Sequence, residues 1–152
     1  MNTHPASLFK RLLAIFYDSL LLMALLFVTG IIVSSISTFM INDGNAITAE
    51  HPFFVFHRTS VLVTLLAVSF LFFGWFWTHG GQTLGMRTWR LKLQTLDGGN
   101  INWSVAGVRF LAAMVSWIVF GLGFIWSLFD KNKRTWHDRM SDTVLIQMEK
   151  KK

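Results

Sequence analysis

Three long stretches without a charged residue constrain this chain more than any other feature. Residues 19–42, 59–78 and 110–129 contain no Asp, Glu, Lys or Arg and are dominated by aliphatic and aromatic side chains. A helix needs roughly 20 apolar residues to cross the hydrocarbon core of a bilayer, and each stretch reaches that length. A hydrophobic content of 53% over 152 residues is by itself a mild excess. Its concentration in three runs argues for an α-helical integral membrane protein of one domain, residues 1–152.

The punctuation between the runs predicts the elements. Helix 1 is expected over about residues 8–40, with Gly30 and Ser34-Ser35-Ile36-Ser37 as places for it to bend or fray. The turn signal Asn42-Asp43-Gly44-Asn45 follows it. Helix 2 is expected over 58–78, with Trp75 and Trp77 as interfacial aromatics and Gly80-Gly81 as its stop. A period of two then begins. Trp89, Leu91 and Leu93 alternate with Thr88, Arg90, Lys92 and Gln94, which predicts a strand over 87–96 with one wet face. Asp97-Gly98-Gly99-Asn100 is a turn, and 101–103 is read as a short continuation of the strand. Ser104 is the expected N-cap of the third apolar segment, 105–129, which Gly121-Leu122-Gly123 interrupts. A second strand is expected over 143–148, with Val144, Ile146 and Met148 on one side.

Charge sets the topology. The net charge is +6, but the basic residues flank apolar runs, which points to anionic lipid headgroups and not to nucleic acid. Lys10 and Arg11 put the N-terminus inside, on a first span too long for the apolar core of a cleaved signal. If the third run crossed the membrane, Lys131, Lys133, Arg134, Arg139, Lys150, Lys151 and Lys152 would lie outside, against the positive-inside rule. If it returns by the face it entered, every Lys and Arg except Arg58 lies near the cytoplasm. The expected fold is therefore two transmembrane helices plus a third re-entrant or interfacial helical hairpin. A small cytoplasmic two-stranded β element completes it, since the two strands can pair only on one side of the membrane.

Charges within or beside the runs are the candidate site. A carboxylate at mid-bilayer costs on the order of 2.5–3.5 kcal/mol and requires a partner or water. Asp18 is in that position. Arg11 shares its helix face seven residues earlier, and Arg109 opens the third run at a similar depth. Either could pair with Asp18. Such a pair is a packing salt bridge in one reading and an ion or proton site in the other. His137-Asp138 resembles a metal-ligand dyad but lacks a second pair at helical spacing, so no metal and no cofactor are expected. His51 and His57 belong to the outer loop, where they are exposed histidines or pH sensors. With no cysteine there is no disulfide or thiolate chemistry. No nucleophile–base pair, phosphate loop or nucleotide fingerprint is present either, so an enzyme is not expected.

In their order and spacing these residues resemble the RDD family, named for an arginine and two aspartates. Arg11 and Asp18 match its opening signature, and Gly81-Gln82-Thr83-Leu84-Gly85 its Gly-x-Thr-x-Gly segment. Leu91-Lys92-Leu93 with Asp97-Gly98-Gly99 matches the following strand and turn, Arg109 a recurrent arginine, and His137-Asp138-Arg139 with Thr143-Val144 the closing segment. Asp138 is taken as the second aspartate. Asp130 and Asp142 are its rivals, because Ser141-Asp142 stands where the family has small residues. The resemblance implies a bacterial inner-membrane protein, multi-pass, with transport of an inorganic cation or proton as the suggested activity. Two function classes stay open. One is transport of ions or small solutes by a homo-oligomer with Asp18 as coupling carboxylate. The other is a membrane scaffold or accessory subunit that binds a cytoplasmic partner.

Overall fold

The computed structural model describes residues 4–149. In chain order the elements are β1 (His4–Pro5), α1 (Leu8–Asn42), α2 (Phe54–Thr78), α3 (Leu84–Thr88), β2 (Leu91–Thr95), α4 (Trp103–Ile118), α5 (Leu122–Ile125) with a 3-10 turn over Trp126–Leu128, α6 (Trp136–Met140) and β3 (Thr143–Gln147). Helices α1 and α2 are long and apolar enough to cross a membrane. Their 35 and 25 residues correspond to roughly 50 and 40 Å at 1.5 Å per residue. Tertiary contacts divide the chain into two compact units. One comprises residues up to Ser19 with those from Phe72 onward, the other Leu20–Leu71.

In the Leu20–Leu71 unit, α1 runs unbroken through Gly30 and the serine stretch that was expected to bend it. The hydroxyls explain its continuity. Ser37 donates to Ser34 O and Thr38 to Ser35 O, so the polar side chains are satisfied along the helix. Ser37 also bonds Nδ1 of His57. Large apolar side chains such as Phe27, Ile32, Phe39 and Val63 are exposed, as on a lipid-facing surface.

The other unit holds the core: Ala6, Ala14, Trp77, Met86, Leu91, Leu93, Ile101, Ala106 and Leu145. Trp77 faces inward here and is no interfacial anchor, whereas Trp75 stays exposed and stacks on His79. The sheet is antiparallel with order β1-β3-β2, so it has three strands and not the expected two. The added strand is the N-terminal His4–Pro5, facing Gln147 and Ile146, too short to leave a period in the sequence. Leu93 opposes Leu145, and Thr95 opposes Thr143. The face of β3 that joins the main core cluster carries Leu145, and Ile146, on the Val144 side, is buried as well.

The alternation read from Arg87 is a strand only from Leu91 onward. Residues Leu84–Thr88 form a helical turn because Thr83 caps it, its hydroxyl accepting from Met86 N at 3.2 Å. Likewise 101–103 do not extend the strand. Asn102, not Ser104, caps α4 by accepting from Val105 N at 2.9 Å. The third apolar segment breaks at the glycines, and the chain bends there by 108°. Gly121 adopts a left-handed φ of 75°, which costs other residues more than glycine. A Cβ on Gly123 would lie 2.1 Å from Ser116 Oγ, so the returning arm sits against the end of α4.

Candidate functional site: a buried charge cluster beside a cavity

The unit built from the two chain ends and the third segment brings three of the four expected site residues together. Asp138 lies in α6, a five-residue helix opened by a capping box. The Thr135 hydroxyl accepts from Asp138 N at 3.2 Å, and Asp138 Oδ2 accepts from Thr135 N at 3.1 Å. This reciprocal bond fixes the carboxylate. Arg11 Nη1 then donates to Oδ2 at 2.7 Å, and Arg109 Nη1 to Oδ1 at 2.6 Å. The N-terminal helix, α4 and α6 are thus joined through one fully buried carboxylate.

The arginines have further anchors. Arg11 donates to Ala6 O at 3.3 Å and Lys133 O at 3.0 Å. Arg109 Nη1 donates to Thr143 Oγ1 at 2.7 Å, and its guanidinium carbon lies 5.4 Å from the centre of the Trp77 ring. The chain continues through the Ser141 hydroxyl, which lies 2.9 Å from Thr143 Oγ1 and donates to His137 O at 2.6 Å. Burial alone would raise the pKa of Asp138, but the charges of Arg109 and Arg11 outweigh it and hold the carboxyl well below its usual range. Burial, reinforced by Arg109, lowers His137 to about 3, so the imidazole is neutral.

Asp18 is not part of this cluster. Neither Arg11 nor Arg109 pairs with it. Its oxygens accept from the Thr83 hydroxyl and from Gly85 N, the latter at 2.8 Å. Both donors belong to the start of α3, so the carboxylate sits where that turn's free N–H groups point. The contact needs glycine: a Cβ on Gly85 would lie 2.3 Å from Ala14 O and 2.9 Å from Asp18 Cγ. Asp18 is 4% exposed and, among the described residues, makes no ion pair.

Between the two groups lies a cavity of about 180 Å³. Asp18, Thr83, Arg11, Arg109 and His137 supply its polar lining; Phe73, Trp77, Phe110, Trp117 and Phe124 supply much of the rest. Its volume accommodates several waters or a small solute. Nδ1 of His137 and Nε of Arg109 are buried with no hydrogen-bond partner among the described residues. No group of three or more His, Asp or Glu is placed to hold a metal ion among those residues.

The rival aspartates stand apart from the cluster. Asp130 accepts from Asn132 N and Arg134 N and pairs with Arg139 at 3.1 Å. Asp142 is an exposed turn residue with φ 48°. Sequence reasoning missed Thr135, Thr143 and the roles of Thr83 and Gly85. Thr135 was findable, because a threonine three residues before an acidic residue is a capping-box pattern. Thr143 was not, since its partner is 34 residues away.

The sequence model described as RDD family matches residues 5–142, nearly the whole chain, including Arg11, Asp18, Arg109 and Asp138. Comparison with curated proteins and with solved structures returns no match.

Proposed function

Since the chain belongs to the RDD family, we propose that it is a multi-pass protein of the bacterial inner membrane that moves ions or small solutes, with Asp18 as its coupling carboxylate. Family membership and the two long apolar helices support a membrane protein. The observation that carries the transport reading is the division of labour between the carboxylates. Asp138 is saturated by two arginines and its own capping box, and so acts as a fastener. Asp18 lines the cavity with only neutral donors on it, which leaves its charge to a proton or a solute. The Thr83 hydroxyl suits both states, since a hydroxyl can donate to a carboxylate or accept from a carboxylic acid.

Charge distribution and strand pairing support cytoplasmic termini. β1, β2 and β3 share one sheet although α1 and α2 separate the first from the second, and the bent segment separates the second from the third. Two crossings followed by a return to the same face satisfy that arrangement and the positive-inside rule. Two spans and a half-hairpin cannot enclose a pathway, so transport requires a homo-oligomer.

The test is flux of a cation, a proton or a small solute into vesicles holding purified protein, wild type beside Asp18→Asn. Flux lost in a variant that inserts and assembles normally supports the proposal. Equal flux in both proteins overturns it, and flux in neither leaves the scaffold reading.

A further inference from the structure

The turn that follows the returning arm is built around one carboxylate. Asp130 Oδ2 accepts from Asn132 N at 3.1 Å and from Arg134 N at 2.9 Å, and Oδ1 pairs with Arg139 Nη2 at 3.1 Å. Lys133 N donates to Asp130 O at 2.9 Å, and Lys133 adopts a left-handed φ of 52°. Arg11 Nη2 donates to Lys133 O at 3.0 Å, which ties the turn to the buried cluster. The backbone is thus held by hydrogen bonds while Lys131 and Lys133 stand exposed. Among the described residues neither lysine makes an ion pair.

Directly before this turn the surface is apolar. Leu128 is 64% and Phe129 78% exposed, and Leu122 and Ile125 are exposed earlier on the same arm. Trp126 is exposed as well, its ring 6.2 Å from that of Trp136, a pairing that suits the level of lipid headgroups. A soluble anion would engage the lysines and leave Leu128 and Phe129 in water. A neutral apolar partner would cover those two and leave the lysines without a counter-charge. An anionic phospholipid satisfies both, with its phosphate on the cations and its acyl chains on the arm. The sign of its charge matters, because Lys131, Lys133, Arg134 and Arg139 outnumber the single carboxylate that shapes the turn.

We infer that this turn and the returning arm form a docking site for one anionic phospholipid, its phosphate held by Lys131 and Lys133 and its acyl chains along Leu128 and Phe129. The site is independent of the transport reading, since neither lysine lines the cavity that holds Asp18.

The test uses the full chain purified in detergent. Native mass spectrometry counts the bound molecules as phosphatidylglycerol, phosphatidylcholine with the same acyl chains, or glycerol 3-phosphate is titrated in. Phosphatidylglycerol should give a saturable first equivalent, and the other two should bind weakly. The Lys131→Gln/Lys133→Gln double variant should weaken that equivalent by about 30-fold, from roughly fivefold per lysine. Both lysines are exposed, so the variant keeps its fold. Arg87→Gln/Arg90→Gln removes the same charge from other exposed positions and should leave the first equivalent nearly unchanged. Asp130→Ala makes the protein more positive but removes the acceptor that shapes the turn, and should weaken binding too. Equal loss in the two double variants, or tighter binding by Asp130→Ala, overturns the inference in favour of a diffuse positive surface. Phosphatidylcholine bound as tightly as phosphatidylglycerol overturns the role of the lysines. Glycerol 3-phosphate bound as tightly overturns the role of the arm.

Discussion

At the scale of single residues, the two carboxylates should respond differently to the same change. Asp138→Asn leaves two buried guanidinium groups facing each other without a counter-charge. Breaking a buried pair in this way costs about 3–5 kcal/mol, so its melting temperature in detergent should collapse. Asp18→Asn keeps one oxygen to accept from Gly85 N, and its amide N–H can donate to the Thr83 hydroxyl, so it should melt close to wild type. His137 gives a pH prediction. Its folded pKa of about 3 lies below the ordinary 6.5, so the unfolded chain binds the extra proton between those values. Its contribution to stability is fully present above about pH 6.5 and is lost as pH falls toward about 3. His137→Phe should flatten the stability curve across that window, as chemical denaturation at several pH values would show; an unchanged slope would argue against a neutral buried imidazole. The sequence pointed to Arg11, Asp18 and Arg109 because charge beside apolar runs is costly, and to Asp138 through the family resemblance. It misassigned the partners: spacing along α1 places Arg11 and Asp18 on one face but says nothing about what packs against that face.

At the scale of elements, the misreadings share one cause. Trp89, Leu91 and Leu93 alternate with polar residues, yet the hydroxyl of Thr83 turns Leu84–Thr88 into a helix before the strand begins. A single side-chain cap outweighed a period of two. That short helix exists to present Gly85 N and Thr83 to Asp18, and its tolerance is low. Gly85→Ala should lose on the order of 1–3 kcal/mol through overpacking against Ala14 O. Thermal unfolding would check it, and a variant as stable as wild type would mean that the close approach is not required. The glycine break in the third segment was legible, because Gly121 and Gly123 interrupt an otherwise continuous run. The 108° angle was not, since it depends on the packing of Gly123 against Ser116.

At the scale of the whole molecule, apolar run lengths point to a membrane protein but allow two crossings or three. The positive charges after the third run and the pairing of β2 with β3 across it favour two. A reporter active only in the cytoplasm, fused after Lys152, should be active; activity only of a periplasmic reporter would require a third crossing. In the proposed division of labour the Arg11–Asp138–Arg109 cluster is the fastener and Asp18 the working group. Flux and melting temperature measured together on wild type, Asp18→Asn and Asp138→Asn in the same vesicles test that division most directly. The predicted result is a stable Asp18→Asn protein without flux and an unstable Asp138→Asn protein. A stable Asp18→Asn protein with wild-type flux would contradict it.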